Sequence, residues 1–393
     1  MKTDFASRRL RDRRADLAGL RVATIGGANV EHGYTLPGDF EADAKYSVAP
    51  QPRQAGGSAV NHACRLLALG VDVHPVLPLA KSDPLSGVIV EALETAARTG
   101  RATLHQRELF VRGSGLVTPY TTILRQGASR AVLNEFSPDL MTAFPAHVER
   151  HLERLGARRH RPDVVVVGHV HADRARKKRD DVGFEGEITE RVLAAPELAG
   201  VPKVVNFGSA QFKLGTKRWE KILREHVDVF QLDIGEVRRF CRDADLPDGS
   251  LASILDWFRE RCTVVVSLER FGAIGQRVGT DRPLAAWPYL IEDVVDSTGA
   301  GDAMVAGLVA SLALDGFALG EDDGPESPLA LALAAGRACA AHACTTVGGA
   351  ADCPDLDRLV VFEKRGRLPG RERGLQTDLS EQELFLIDRA FDG

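Results

Sequence analysis

The sequence predicts an α/β fold in which a mostly parallel sheet is covered by helices. Short apolar strands alternate with helical segments, an order that is typical of parallel sheets. The run from Val164 to Val167 contains only valine, as expected for a strand buried on both faces. Two other segments, 34–50 and 108–136, are rich in β-forming and turn residues but have no helical period. They predict a few antiparallel strands outside the main sheet.

The individual elements follow one another regularly. A first strand is predicted at 21–26, and a helix at 58–70, where apolar residues recur at helical spacing before a glycine. Further strands are predicted at 71–79, 164–167, 204–207, 227–232, 264–268 and 290–295. The last strand leads into a segment, 303–314, that is apolar on every side of a helix. Such a helix belongs in a protein interior.

Composition narrows the class of protein. The 393 residues suit one large α/β domain with insertions, or two domains. A content of 44% hydrophobic and 27% charged residues with a net charge of −5 is an ordinary soluble balance. It argues against a nucleic-acid or membrane partner, and no apolar run approaches the roughly 20 residues that span a bilayer.

The N-terminus and the cysteines indicate the cellular compartment of the protein. The arginine-rich N-terminus, 1–20, lacks the apolar core of a signal peptide and predicts a solvated basic helix. The six cysteines show neither a CxxC pair nor metal-ligand spacing. We therefore expect a reduced, cytoplasmic protein.

One motif points to chemistry. Gly299, Ala300 and Gly301 form a turn with almost no side chains, and Asp302 falls in the first turn of the apolar helix. The N–H groups at a helix N-terminus attract anions. A carboxylate base beside an anion cradle is what phosphoryl transfer to a hydroxyl requires.

The full string Asp296-Ser-Thr-Gly-Ala-Gly-Asp302 resembles the ATP-site motif of the ribokinase-like (PfkB) carbohydrate kinases. The resemblance implies that Asp302 is the catalytic base and that Gly299, Ala300 and Gly301 form the anion hole. It further implies that Asp296 helps to bind a monovalent cation, usually potassium. It also implies a ribokinase-like mostly parallel sheet with a small β-strand lid, formed here by the segments at about 34–50 and 108–136.

A second motif lies in the N-terminal half. Gly56 and Gly57 precede the first long helix, and Asn61 falls in its first turn. This resembles the family's sugar-binding element G-G-x-x-x-N, which implies that these residues bind the substrate. Asn29 and Glu31 follow the first strand, at the sheet edge where α/β proteins bind ligands. Glu31 stands where the family has an aspartate that binds sugar hydroxyls.

The nucleotide half resembles the family with departures. Asp233 and Glu236 match N-x-x-E, whose glutamate organises magnesium through water, although aspartate replaces the asparagine. Ser267 and Gly272 match T-x-G-x-x-G along the ATP, with Glu269 at a usual glycine.

The resemblance covers most of 21–354, and Gly349, after the last apolar helix, resembles the wall of the adenine pocket. The tail 355–393 is an addition, in which Ser380 and Glu383 predict a capping box.

These observations predict an ATP- and Mg²⁺-dependent kinase, with K⁺ as a further cofactor, that phosphorylates a primary hydroxyl of a sugar. A nucleoside kinase of the same fold is the close alternative. A nucleotide- or sugar-binding regulator without turnover is an alternative from another class. We expect small-molecule partners and a homodimer through the lid.

Overall fold

A computed structural model describes residues 6–38, 43, 45–48, 51–126, 129–170, 187–208, 211, 216–243, 250–291, 294–320, 324–365, 375–376 and 379–391. Among these residues, no helix has the length and apolar character needed to cross a membrane.

The strands of the described chain form two sheets. In chain order they are β1 (Arg21–Ile25), β2 (Asn29–Thr35), β3 (Gln54–Gly56), β4 (Asp72–Val76), β5 (Tyr120–Gln126), β6 (Ser129–Glu135), β7 (Val164–Val167), β8 (Lys203–Val205), β9 (Val229–Asp233), β10 (Thr263–Ser267), β11 (Ala273–Gln276), β12 (Leu284–Ala286) and β13 (Leu375–Gln376). The main sheet has the order β13-β12-β11-β10-β9-β8-β7-β1-β4. Its strands from β4 to β10 pair in parallel, and β11, β12 and β13 extend it by antiparallel pairing. The predicted mostly parallel sheet is confirmed.

Helices cover both faces of this sheet. In chain order they are α1 (Ala6–Asp12), α2 (Arg14–Leu17), α3 (Ser58–Ala68), α4 (Leu85–Gly100), α5 (Pro138–Gly156), α6 (Glu187–Leu193), α7 (Thr216–His226), α8 (Ile234–Asp243), α9 (Leu251–Arg259), α10 (Ala300–Leu314), α11 (Pro328–Ala343), α12 (Leu356–Arg365) and α13 (Glu381–Arg389). The all-valine strand β7 contributes side chains to the apolar clusters on both faces of the sheet. Val164 and Val166 join the apolar cluster that contains α3, α10 and α11, and Val165 and Val167 join the one that contains α5 and α9. Alternate side chains of a strand point to opposite faces, so one strand supports two cores.

The small second sheet has the order β3-β2-β5-β6. It corresponds to the expected lid and is called the lid sheet below. β2 pairs antiparallel with β3 and parallel with β5, and β5 pairs antiparallel with β6. Its strands are therefore placed differently from the segments expected at 34–50 and 108–136. β2 ends where the first segment begins, and the second segment contributes strands only from Tyr120 onward. Parts of 34–50 lie outside the described residues.

The strand expected at 290–295 is wrong. Leu290, Val294 and Val295 are each more than half exposed, and the described residues of this stretch belong to no strand. Their apolar side chains have no sheet face to cover, and the backbone N–H of Val295 donates to the carbonyl of Cys344 instead. The helix that follows, α10, is buried on all sides from Ala303 to Leu314, as predicted.

Both termini pack onto the body. The expected solvated N-terminal helix instead buries Leu10 in the apolar cluster that contains α10 and α11, and its Ser7 donates to Glu363 of α12. At the other end, β13 lies on the edge of the main sheet and α13 packs against α9. The predicted capping box of Ser380 and Glu383 is present at the start of α13.

Candidate active site

The end of β1 positions the first turn of α3. Gly57 precedes this helix with φ +92°, and a Cβ there would lie 2.6 Å from the carbonyl oxygen of Gly27. The backbone N–H of Ala59 donates to that same carbonyl over 3.2 Å. The Gly56-Gly57 pair therefore lets the start of α3 approach the end of β1 closely, which only glycine permits at this φ.

Two neighbouring residues of α3 hold the carboxylate of Asp302. Nδ2 of Asn61 donates to Oδ2 over 2.7 Å, and Nε2 of His62 lies 3.2 Å from Oδ1. The His62 side chain is fully buried and that of Asp302 is 14% exposed. The carboxylate is therefore fixed on one side and accessible on another.

Its surroundings keep Asp302 ionised. Burial alone would raise the pKa of Asp302, but His62, His169 and Asn61 outweigh this effect and hold the pKa below its usual value. The start of α10 also favours a negative charge. Asp302 is thus an oriented, ionised carboxylate at neutral pH, the form that a general base requires.

The turn before Asp302 leaves the helix end open. Gly299 adopts φ +76°, and a Cβ there would collide with Gly349. Within the described chain no side chain caps this end of α10, and the space that a Cβ of Gly301 would enter is empty. The first N–H groups of a helix have no partner inside it, so this end can receive an anion.

Glu31 lies in the same region, on the lid strand β2. Its carboxylate passes over Gly56, where a Cβ would collide with it. Nδ2 of Asn29 lies 3.4 Å from Oε1 of Glu31 and donates to Oγ1 of Thr121 over 2.7 Å. Burial and the charge of Asp302 raise the pKa of Glu31, and the contact with Asn29 opposes this rise. Glu31 and Asp302 are therefore close enough for their charges to interact.

Asp296 accepts four hydrogen bonds. Thr298 donates to Oδ1 through its N–H over 2.9 Å and its hydroxyl over 2.7 Å. The N–H of Gly348 donates to Oδ2 over 3.2 Å, and Nη2 of Arg125, from the lid strand β5, lies 3.3 Å from the same oxygen. Burial opposes ionisation of Asp296, but these donors hold its pKa below the usual value.

Asp233 and Glu236 form a reciprocal cap at the start of α8. Oδ1 of Asp233 accepts from the N–H of Glu236 over 2.7 Å, and Oε2 of Glu236 accepts from the N–H of Asp233 over 3.0 Å. The motif therefore has a local structural role as a capping box. Burial and the neighbouring Asp233 carboxylate raise the pKa of Glu236, and the charge of Asp302 adds to the rise.

The remaining nucleotide-side residues are distributed over two places. Ser267 ends β10 directly beside Asp233 of β9. Glu269 has φ +48°, the left-handed region that glycine adopts at little cost, at the position where the family has glycine. Gly272 makes the turn into β11, where a Cβ would collide with the carbonyl oxygen of Ala286. Gly349 instead packs against the amide of Asn61 and against Gly299.

Two residues of the site could not be anticipated from the motifs. His62 follows Asn61 directly, yet its fully buried ring beside Asp302 is visible only in three dimensions. Arg125 is one residue of an ordinary strand and has no sequence signal at all. It contacts a carboxylate 171 positions away.

Comparison with known proteins bears on the family and the fold. Residues 184–356 match the model of the pfkB family carbohydrate kinases. No curated protein is significantly similar in sequence.

Among solved structures, the nucleoside kinase of Methanocaldococcus jannaschii, a member of the ribokinase family, has a TM-score of 0.63 at 15% identity, covering 88% of this chain and 98% of its own. The Arabidopsis thaliana ribokinase complexed with ribose and ATP scores 0.62 at 16% identity, with the same coverages of 88% and 98%. The Burkholderia thailandensis nucleoside kinase in complex with inosine scores 0.61 at 15% identity, again covering 88% and 98%.

At such identities the structural likeness concerns the fold, and the family match adds the class of enzyme. Members of the pfkB family are kinases that phosphorylate hydroxyl groups of sugars or nucleosides. Residues 184–356 are therefore similar to the pfkB family carbohydrate kinases, and the chain has a ribokinase-like fold.

Proposed function

We propose that this chain transfers the γ-phosphate of ATP to a primary hydroxyl of a sugar. The observation that carries the proposal is the placement of Asp302. It is an ionised carboxylate, held by Asn61 and His62, at the open N-terminus of α10. An acceptor hydroxyl beside it would lose its proton to Asp302 while the helix N–H groups stabilise charge on the transferred phosphate.

Glu31 and Asn29 are the groups that we propose for binding the acceptor. They lie on β2 beside the base, and Glu31 offers carboxylate oxygens that accept hydrogen bonds from hydroxyls. We also assign Gly56 and Gly57 to this acceptor site, because without side chains they let the Glu31 carboxylate and the end of β1 lie against the start of α3. Oδ1 of Asn61 is buried and, among the described residues, has no hydrogen-bond partner. It is therefore a further acceptor for a substrate hydroxyl.

The residues on the nucleotide side suit a magnesium ion. Asp233 and Glu236 place two carboxylates together, and Glu236 has a raised pKa that a divalent cation would relieve. Carboxylate oxygens combined with phosphate oxygens are the ligands that Mg²⁺ prefers. When bound there, Mg²⁺ would neutralise phosphate charge and orient the γ-phosphate. We also propose that Ser267, Gly272 and Gly349 contact the nucleotide.

The same site geometry serves a nucleoside kinase, which is the second candidate. The side chain of Asn206, at the end of β8, is occupied with Oε1 of Gln231 at 2.6 Å. The sequence there lacks the D-x-N-x-R pattern of many sugar kinases. This favours a nucleoside over fructose or a sugar acid as the alternative acceptor.

We further propose that two copies associate through the lid. β6 is an edge strand of the lid sheet, and its Val132 and Leu133 are about half exposed. Apolar side chains on an exposed strand edge favour pairing with another strand.

The test is release of ADP from ATP by the purified chain against a panel of pentoses, hexoses and nucleosides with Mg²⁺ present. We expect ADP release to exceed the acceptor-free rate with one class of acceptor. Sugars are the first expectation, and nucleosides are the second. The Asp302→Asn variant supplies the blank, since contaminating kinases would remain active in it. Tight ATP binding with no acceptor-dependent release from the wild-type chain would instead favour a regulator without turnover.

A further inference from the structure

We propose that Arg125 replaces the monovalent cation at Asp296, so that the lid itself supplies the charge that organises the anion-hole turn. For its catalytic meaning the inference rests on the proposed function, but the contact and its test do not. The resemblance to the family implies a potassium ion at Asp296. The groups around this carboxylate do not fit one.

The oxygens of Asp296 have no capacity left for a cation. A carboxylate offers about four lone-pair positions, two on each oxygen. Thr298 fills two of them through its N–H and hydroxyl, Gly348 fills the third, and Arg125 the fourth. A cation that bound Asp296 would have to displace one of these donors.

The negative charge of Asp296 is already neutralised by Arg125. The guanidinium of Arg125 carries a permanent positive charge, and its Nη2 lies 3.3 Å from Oδ2 of Asp296. The two side chains are 24% and 12% exposed, so water screens this ion pair only partly. A second positive charge at the same carboxylate would meet repulsion from Arg125.

Neighbouring residues leave space for the side chain of Arg125 in the lid and contact it. Gly33 lies on β2 beside β5, and a Cβ at this position would collide with Nη1 of Arg125 and lie 2.6 Å from Oε1 of Gln51. Nη1 of Arg125 lies 3.4 Å from the same oxygen of Gln51. The missing side chain of Gly33 therefore leaves space for the guanidinium, which donates to Gln51 at this position.

The arrangement has a consequence for how the site assembles. Asp296 joins the turn before α10 to the loop after α11, because it accepts from both Thr298 and Gly348. In this chain the fourth residue of that junction, Arg125, belongs to the lid. The anion hole is therefore complete only when β5 lies over it, so that lid position and the shape of the hole are coupled.

The experiment measures cation binding without relying on catalysis. Thermal unfolding of the full chain is followed in potassium, sodium and choline chloride at equal ionic strength, with no nucleotide present. We expect the wild type to unfold at the same midpoint in all three salts. Arg125→Ala vacates a position at Asp296, and we expect its midpoint to be roughly 1–3 °C higher in potassium than in choline.

A second variant and a control separate this effect from general damage. Gly33→Ala keeps the arginine but displaces it, and should show the same potassium response as Arg125→Ala. Arg112→Ala removes an exposed arginine that pairs with Glu108, and should behave as the wild type. A merely structural defect would lower the midpoint equally in every salt.

The same salts are then compared for binding of Mg·ADP by calorimetry. We expect the wild-type dissociation constant to be indifferent to potassium, and those of Arg125→Ala and Gly33→Ala to fall several-fold when potassium is added. A wild-type midpoint raised by potassium would overturn the proposal. So would folded Arg125→Ala and Gly33→Ala variants that do not respond to it. Failure of all forms to bind ADP would count against the proposed function alone, because the unfolding result does not depend on nucleotide.

Discussion

Asn61 donates a hydrogen bond from Nδ2 to Oδ2 of Asp302 over 2.7 Å, although the two residues are 241 positions apart in the chain. The bond joins the first turn of α3 to the first turn of α10. The sequence motif predicted that Asn61 binds the acceptor. In the structure its Nδ2 donates to Asp302 instead, and its Oδ1 has no hydrogen-bond partner among the described residues. One residue thus links the two motifs that were found separately.

Replacement of Asp302 by asparagine tests the base. Asn keeps the size of the side chain but cannot take up a proton, so we expect kcat to fall by about 10²–10⁴-fold. Dissociation constants for ATP and acceptor should change little, because the proposed anion hole consists of backbone groups. Asp315→Asn, at the far end of the same helix, is the matched control. Near-normal turnover in Asp302→Asn would remove this residue from catalysis.

Replacement of His62 by leucine tests how the base is held. His62 helps to keep the pKa of Asp302 low against the effect of burial. Without it the pKa of Asp302 should rise, and a base is lost as pH falls through its pKa. We therefore expect the acidic limb of the kcat–pH profile to move to higher pH. His62→Gln retains a donor and should shift the limb less. A variant that loses activity equally at every pH would show a structural role only.

A methyl group at Gly56 tests the acceptor side. The Cβ of Gly56→Ala would collide with the Glu31 carboxylate, and the backbone of Gly56 is not in the left-handed region, so the main effect falls on Glu31. Loss of a hydrogen bond to a charged group costs about 1.5–3 kcal/mol, so the acceptor KM should rise by roughly 10- to 100-fold. Gly87→Ala, whose Cβ meets open space in α4, should leave KM unchanged. A rise in the KM for ATP alone would mean that Glu31 is assigned to the wrong substrate.

A group of buried histidines predicts sensitivity to acid. Burial lowers the pKa of His147 to about 3 and that of His74 to about 2, and His151 lies against both rings. In the unfolded chain these groups bind a proton below the ordinary histidine pKa of 6.5. Below that pH the unfolded state therefore binds more protons, and each such histidine removes up to about 1.4 kcal/mol of stability per pH unit.

The measurement is the midpoint of urea unfolding between neutral pH and pH 4. His147→Leu removes one titrating group, and its stability should depend less steeply on pH than that of the wild type. His226→Gln alters a partly exposed histidine beside Glu225 and serves as the control. Equal slopes for wild type and His147→Leu would contradict this origin of acid lability.

The parts of the molecule that could be predicted from sequence are those with a local signature. Val164 to Val167 forms a buried strand because four consecutive valines suit no exposed structure, and Ser380 caps α13 through a residue three positions away. The segment 290–295 misled because its apolar residues flank Glu292 and Asp293, and apolar character alone does not reveal whether a neighbouring strand is present. Arg125 could not be foreseen, because its partner Asp296 is defined only by how the lid folds back on the body.

The two residues Leu375 and Gln376 have an importance out of proportion to their number. They form the last strand of the main sheet and pair with β12, a short strand that would otherwise present its backbone to solvent. An unpaired strand edge is a template for strands of other molecules. A chain shortened before this segment would keep the proposed catalytic residues but would expose the edge of β12. We expect it to lose solubility by self-association at that edge before it loses catalytic activity.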